Sequence, residues 1–102
     1  MIARVWRGAT RADDEQAYAG YLEETGMRGA RALPGSGGTL VLHRRVGERA
    51  EFVTILLFDS LESVGAFAGD EPERAVFFPE DDRFLVERDP GVAHYEVDER
   101  RG

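Results

Sequence analysis

The 102-residue chain has no cysteine, no lysine and no asparagine. Lacking cysteine, it can form no disulfide, thiolate nucleophile or cysteine-ligated zinc site. Lacking lysine, it cannot form a Schiff base with a carbonyl substrate, and all 13 basic residues are arginine. Chemistry is left to two histidines, the acids, Arg, Tyr, Trp, Ser and Thr. Long apolar runs are also missing. The longest, Phe52–Phe58 "FVTILLF", falls far short of the ~20 residues that cross a bilayer. No basic segment followed by an apolar one opens the chain, so no signal peptide is read. The expectation is a cytoplasmic protein with no membrane partner. Positive charge is scarce in the second half: residues 51–102 hold 5 Arg and 14 acids, a balance of −9, against 8 Arg and 6 acids, or +2, in residues 1–50. A surface that acidic is not expected to track nucleic-acid phosphates.

What is present fits a folded domain. Hydrophobic residues make up 42% and charged residues 32%, outside the disordered range. The length predicts one domain, placed at 1–98, with a frayed tail at 99–102. A domain this small buries only about two-thirds of its unfolded surface. A core and a pocket would compete for the same apolar residues, so a homodimer is expected.

Ile2–Gly8 "IARVWRG" reads as a first strand. Thr10 is placed to cap a helix in which Ala17, Tyr18, Tyr21, Leu22 and Thr25 recur at helical spacing, with Gly26 as its C-terminal cap. Residues 29–38, "GARALPGSGG", read as a Gly-rich loop and a possible lid. "TLVLHRRV" (39–46) and "AEFVTILLF" (50–58) read as strands joined at Gly47 as a tight hairpin. A second helix is expected over Ser60–Ala68, stopped by Gly69. A further helical piece is expected from Pro72 through "ERAVFF", and another turn near "PEDDRF". Asp89-Pro90-Gly91 reads as a turn before a last strand, Val92–Val97. The order β-α-β-β-α-β is the split βαβ of ferredoxin-like folds: α+β, with one four-stranded antiparallel sheet and both helices on one face. Phe52–Phe58 is apolar on both of its faces, whereas a strand with one wet face alternates. A second copy packed sheet to sheet is the simplest cover.

"FDSLESVGAFAG" (58–69), with "ARVWRG" near the start, "AVFFPEDDRFL", and "PGVAHYEV" near the end, resembles the antibiotic biosynthesis monooxygenase family of dimeric α+β barrel proteins. The resemblance implies oxygenation without metal, flavin or other cofactor. An electron-rich polycyclic phenol loses a proton and its enolate reacts with O2, while the protein supplies a base, anion stabilisation and a dry pocket. It also implies the alternative of a non-catalytic, dimeric small-ligand-binding or interaction domain of the same fold. The haem-degrading branch uses an Asn, a Trp and a His ligand. This chain has no Asn, carries Phe58 where that Trp stands, and has no His in "PERAVFFPEDD".

Against that background Arg4 is the candidate enolate stabiliser, with a structural pairing to Glu96 as the other reading. His94, in the strand expected beside the first, is the candidate base because imidazole titrates near neutrality. Its other reading is a structural histidine bonded to a backbone carbonyl or to Glu96. Trp6, Tyr18, Tyr21, Phe58 and Phe67 are candidate pocket walls, and each also suits a core. Phe77, Phe78 and Phe84 could join an aromatic lining. His43, between Leu42 and Arg44, reads as surface. The acids of "PEDDR" point different ways on a helix and read as a solvated helix start, not a metal site.

Overall fold

Ten consecutive residues, Ile2–Arg11, form the central strand β1. It runs three residues past the expected end, because Thr10 pairs with Ala50 and is fully buried. Thr10 therefore caps nothing; its hydroxyl donates to the Arg11 carbonyl at 2.8 Å. The computed structural model describes residues 1–100, so Arg101 and Gly102 of the expected frayed tail lie outside the described residues.

A short 3-10 turn at Ala12–Asp14 leads into α1, Glu15–Leu22. The helix does not stop at Gly26. It widens into a π-helical turn over Glu23–Met27 and continues as α2, Arg28–Arg31. Met27 and Ala30 are buried there, so apolar packing carries the helix beyond the expected cap. A Cβ at Gly26 would rest in ordinary contact with the Phe78 ring, 3.4 Å away. The expected loop at 29–38 is correspondingly short. Ser36 already belongs to β2, Ser36–Val46, and "GSGG" contributes no residue to the cavity described below.

β3, Arg49–Phe58, follows the hairpin, and Ser60 caps α3, Leu61–Ala68. Gly69, at φ 73°, ends it. The helix expected over "ERAVFF" does not form. Residues 72–80 run as an irregular segment, tied by Ala75 N–H to Pro90 O and Val92 N–H to Glu73 O, both 2.9 Å. A single helical turn, α4 (Asp81–Phe84), opens into β4, Leu85–Arg88, which the sequence reading missed. β5 spans Ala93–Glu96.

The strands make one antiparallel sheet in the order β2-β3-β1-β4, with β5 also paired to β1. β3 fills one edge of β1 along its whole length. β4 opposes Gly8–Thr10 and β5 opposes Ile2–Val5 on the other. The expected last strand is β5, and the unexpected β4 takes the rest of that edge. The Asp89-Pro90-Gly91 turn separates the two, because proline cannot donate to a ladder.

Register sorts the faces. Ile2, Arg4, Trp6, Phe52, Thr54, Leu56 and Phe58 point to the helices, all buried. The core joins Tyr18, Leu22, Met27, Phe52, Phe58, Val64 and Phe84. The opposite face carries Val5, Ile55 and Leu57 half-buried, with Leu40, Leu42 and Tyr95 about half exposed. Toward the hairpin end that face turns charged, with Arg44–Glu51 and Arg49–Glu87 ion pairs at 2.7 and 3.0 Å.

Candidate functional site

Between the sheet, α1 and the 72–78 segment lies a cavity of about 50 Å³. Its floor is Arg4, Trp6, Thr54 and Leu56, and its sides include Tyr18, Met27, Phe67, Phe77, Phe78 and Asp81. Four of the sequence-derived candidates meet here: Arg4, Trp6, Tyr18 and Phe67. Phe77 and Phe78 join them, as expected of an aromatic lining. Phe58, fully buried, packs on Phe67 with ring centroids 6.5 Å apart and sits in the core rather than the wall. Tyr21 is also outside the lining: its hydroxyl accepts from Glu80 N–H at 3.0 Å. Phe84 packs on Tyr18 and Tyr21 in the core.

Arg4 is 3% exposed. A buried guanidinium needs acceptors, and these are not Glu96. One terminal nitrogen donates to the Pro72 carbonyl and lies 3.2 Å from His94 Nε2; the other donates to the Arg74 carbonyl at 2.8 Å. The guanidinium carbon stands 5.7 Å from the Phe67 ring centroid. Burial lowers the Arg4 pKa from its ordinary value, and the Glu73 charge opposes that shift.

His94 faces Arg4 directly across the β1–β5 ladder. Arginine has no acceptor, so Nε2 receives the bond and the neutral ring carries its proton on Nδ1. Burial first, and the Arg4 charge second, lower the His94 pKa, while Glu73 acts the other way. His94 touches Arg4 but does not itself line the cavity. His43 lies elsewhere, with Nδ1 2.7 Å from Glu15 Oε2 and its ring stacked on Phe52.

Trp6 is pinned by its indole N–H, which donates to Asp89 O at 2.8 Å, and it meets Phe77 edge-on. Gly8 makes room for it, since a Cβ there would fall 2.4 Å from the Trp6 ring.

One polar group was misread from the sequence. Asp81, within the run expected to be a solvated helix start, is 4% exposed. Its Oδ1 accepts from the Tyr18 hydroxyl at 2.8 Å and its Oδ2 from Phe78 N–H at 2.7 Å. Burial, followed by the bond to Asp81, raises the Tyr18 pKa far above its usual value. The available signal was spacing: Asp81 stands three residues after Phe78 and three before Phe84, both apolar. Among the described residues no group of three or more His, Asp or Glu is placed to hold a metal ion, and no helix is long and apolar enough to cross a membrane.

No family model and no curated protein matches the sequence. Solved structures do. Proteins from Bacillus cereus and Deinococcus radiodurans, each named a "putative antibiotic biosynthesis monooxygenase", superpose with TM-scores of 0.68 and 0.62, both at 15% identity. They cover 99% and 100% of this chain and 94% and 97% of their own. The haem degrader MhuD from Mycobacterium tuberculosis, solved with two haems in its active site, gives 0.59 at 14% identity over the full length of both chains. At such identities the likeness is one of backbone, and its conclusion is architectural: this chain has the ferredoxin-like α+β fold of the antibiotic biosynthesis monooxygenase proteins.

Proposed function

We propose that the protein is a cofactor-independent monooxygenase acting on a polycyclic aromatic or polyketide-like molecule, and that it works as a homodimer. The observation that carries this reading is Arg4: a buried guanidinium, hydrogen-bonded to His94 and to no carboxylate, in the floor of an aromatic cavity. In a low-dielectric site such a group stabilises a developing oxyanion strongly. The substrate's enol proton passes to His94 Nε2 as the Arg4 N–H turns from that nitrogen to the new enolate oxygen. The enolate then supplies the electrons for O2. A ring CH2 becomes a carbonyl, one oxygen atom enters the product, and the other leaves as water with the two hydrogens, so no external reductant is needed.

The cavity holds only a few water molecules as it stands, so a ring system enters by displacing the 72–78 wall. The test is oxygen uptake with anthrone as substrate. Equimolar O2 consumption and a new carbonyl are expected, with Arg4→Met and His94→Ala each slower by ~10²-fold or more. Unchanged turnover in His94→Ala would remove the base assignment.

A second reading, a dimeric domain that binds an apolar ligand without turnover, is favoured by one observation: Arg4 already satisfies three of its hydrogen bonds within the chain. Anthrone binding without oxygen uptake would select it. Haem does not suit the residues present: the chain has no asparagine, and Phe58, buried in the core, stands where the haem-degrading branch places a Trp. A saturable Soret shift at stoichiometric haemin would overturn that exclusion.

A further inference from the structure

Arg4 and Asp81 line the same cavity, both buried, and neither is the other's partner. Burying a carboxylate without a cation is costly. The two bonds Asp81 accepts, from Tyr18 and from Phe78 N–H, occupy two of the roughly four acceptor sites of an ionised carboxylate. A neutral serine or asparagine could tie down the 78–84 turn without burying a charge. The cavity is therefore bipolar: it holds a donor-only group, Arg4, and an acceptor-only group, Asp81, in a lining that is mostly aromatic and aliphatic.

We infer that the Asp81 carboxylate is a ligand-recognition group that accepts a hydrogen bond from a hydroxyl of a flat aromatic ligand whose carbonyl or enolate oxygen lies at Arg4. The ligand class is a hydroxylated aromatic ketone or quinone, with a hydroxyl donor distinct from the acceptor oxygen. This rests on reading the cavity as the ligand site, and it adds a specificity-determining residue to that site. Phenols with a free O–H are preferred over parent rings, because the parent leaves a buried carboxylate short of a donor.

Trp6 is the single tryptophan and forms part of the floor, so its fluorescence reports occupancy. The probes are 2-hydroxyanthraquinone and anthraquinone, titrated at a mildly acidic pH that keeps the hydroxyl protonated. Wild-type protein should bind the hydroxylated probe ~10-fold or more tighter, the worth of one hydrogen bond to a charged group. In Asp81→Asn that ratio should fall to about 1–2 while the protein still unfolds cooperatively. Tyr18→Phe guards against a misfolded Asp81 variant: it keeps the carboxylate and should keep the preference. A preference unchanged in Asp81→Asn, lost in Tyr18→Phe, or absent from the wild type would overturn the inference. Oxygen uptake with anthrone is measured on the same preparations. A preserved probe ratio without uptake would sink the oxygenase reading and leave Asp81 standing as the recognition group.

Discussion

Arg4 and His94 form a pair whose two members change each other. Because burial and the Arg4 charge both lower the His94 pKa, the folded state binds fewer protons there than the unfolded chain, whose imidazole titrates near 6.5. Stability from this group is present above that pH and is lost as pH falls through the lower folded value. Arg4→Met removes the second cause and leaves the first. The His94 pKa, followed by ring-proton NMR, should therefore rise toward but not reach the ordinary value, and the acid-side loss of stability should shrink. A His94 titration identical in the variant would show that the pair is not electrostatically coupled. The same change strands the Pro72 and Arg74 carbonyls, at roughly 1–3 kcal/mol for each buried polar group left unpaired, measured by denaturant unfolding. In the sequence Arg4 was legible as a partly buried cation on a central strand. Two of its three acceptors were not, because they are backbone carbonyls about seventy residues away and carry no side-chain signature.

At the scale of elements, periodicity served where one force dominated. α3 was legible because a polar cap, an apolar stripe and a glycine stop coincide in ten residues. Asp59 and Ser60 both carry a side chain able to cap, and Ser60 does so, its hydroxyl accepting from Ser63 N–H at 3.2 Å. Asp59 instead accepts from the Ser63 hydroxyl. Ser60→Ala should cost about 1 kcal/mol, seen as a lower midpoint at an unchanged denaturant slope; a neutral result would transfer the cap to Asp59. Where local and tertiary signals conflicted, the tertiary one prevailed. Gly26 looked like a stop, but Met27 and Ala30 beyond it are buried and draw the helix on through a π turn. "ERAVFF" has the apolar spacing of a helix, yet its backbone is held by Pro90, Val92 and Arg4. Asp81 was missed for the same reason: a run of acids reads as solvated until a tyrosine from another element is placed against one of them.

For the whole molecule, one measurement of shape and one of charge pattern point the same way. The chain is 21 Å thick against 37 and 36 Å in its other dimensions, a helical layer on one side of a sheet whose other side has no covering layer among the described residues. On that bare side Leu40, Ile55 and Leu57 stand apart from the charged end held by Arg44, Glu51 and Glu87. The expected dimer seats the apolar half against its symmetry mate and leaves the ion pairs at the rim. Sedimentation at micromolar concentration should give twice the mass of 11.4 kDa, and Ile55→Glu should give the monomer. A wild-type monomer under those conditions would count against the sheet-to-sheet assembly. The need for a cover was legible in the sequence, from a strand apolar on both faces. The cavity was not, since it depends on which residues of β1, α1 and the 72–78 segment converge.

The bonds from Arg4 to the Pro72 and Arg74 carbonyls have a kinetic consequence. They fasten the outer wall of the cavity to the central strand, so a visiting anion competes with the wall for one guanidinium. Entry is then gated. The observed association rate should rise with ligand concentration and level off at the rate of wall opening, a plateau that stopped-flow quenching of Trp6 would display. In Arg4→Met the gate loses its bolt and the plateau should lift, even as the equilibrium affinity for an anionic ligand falls.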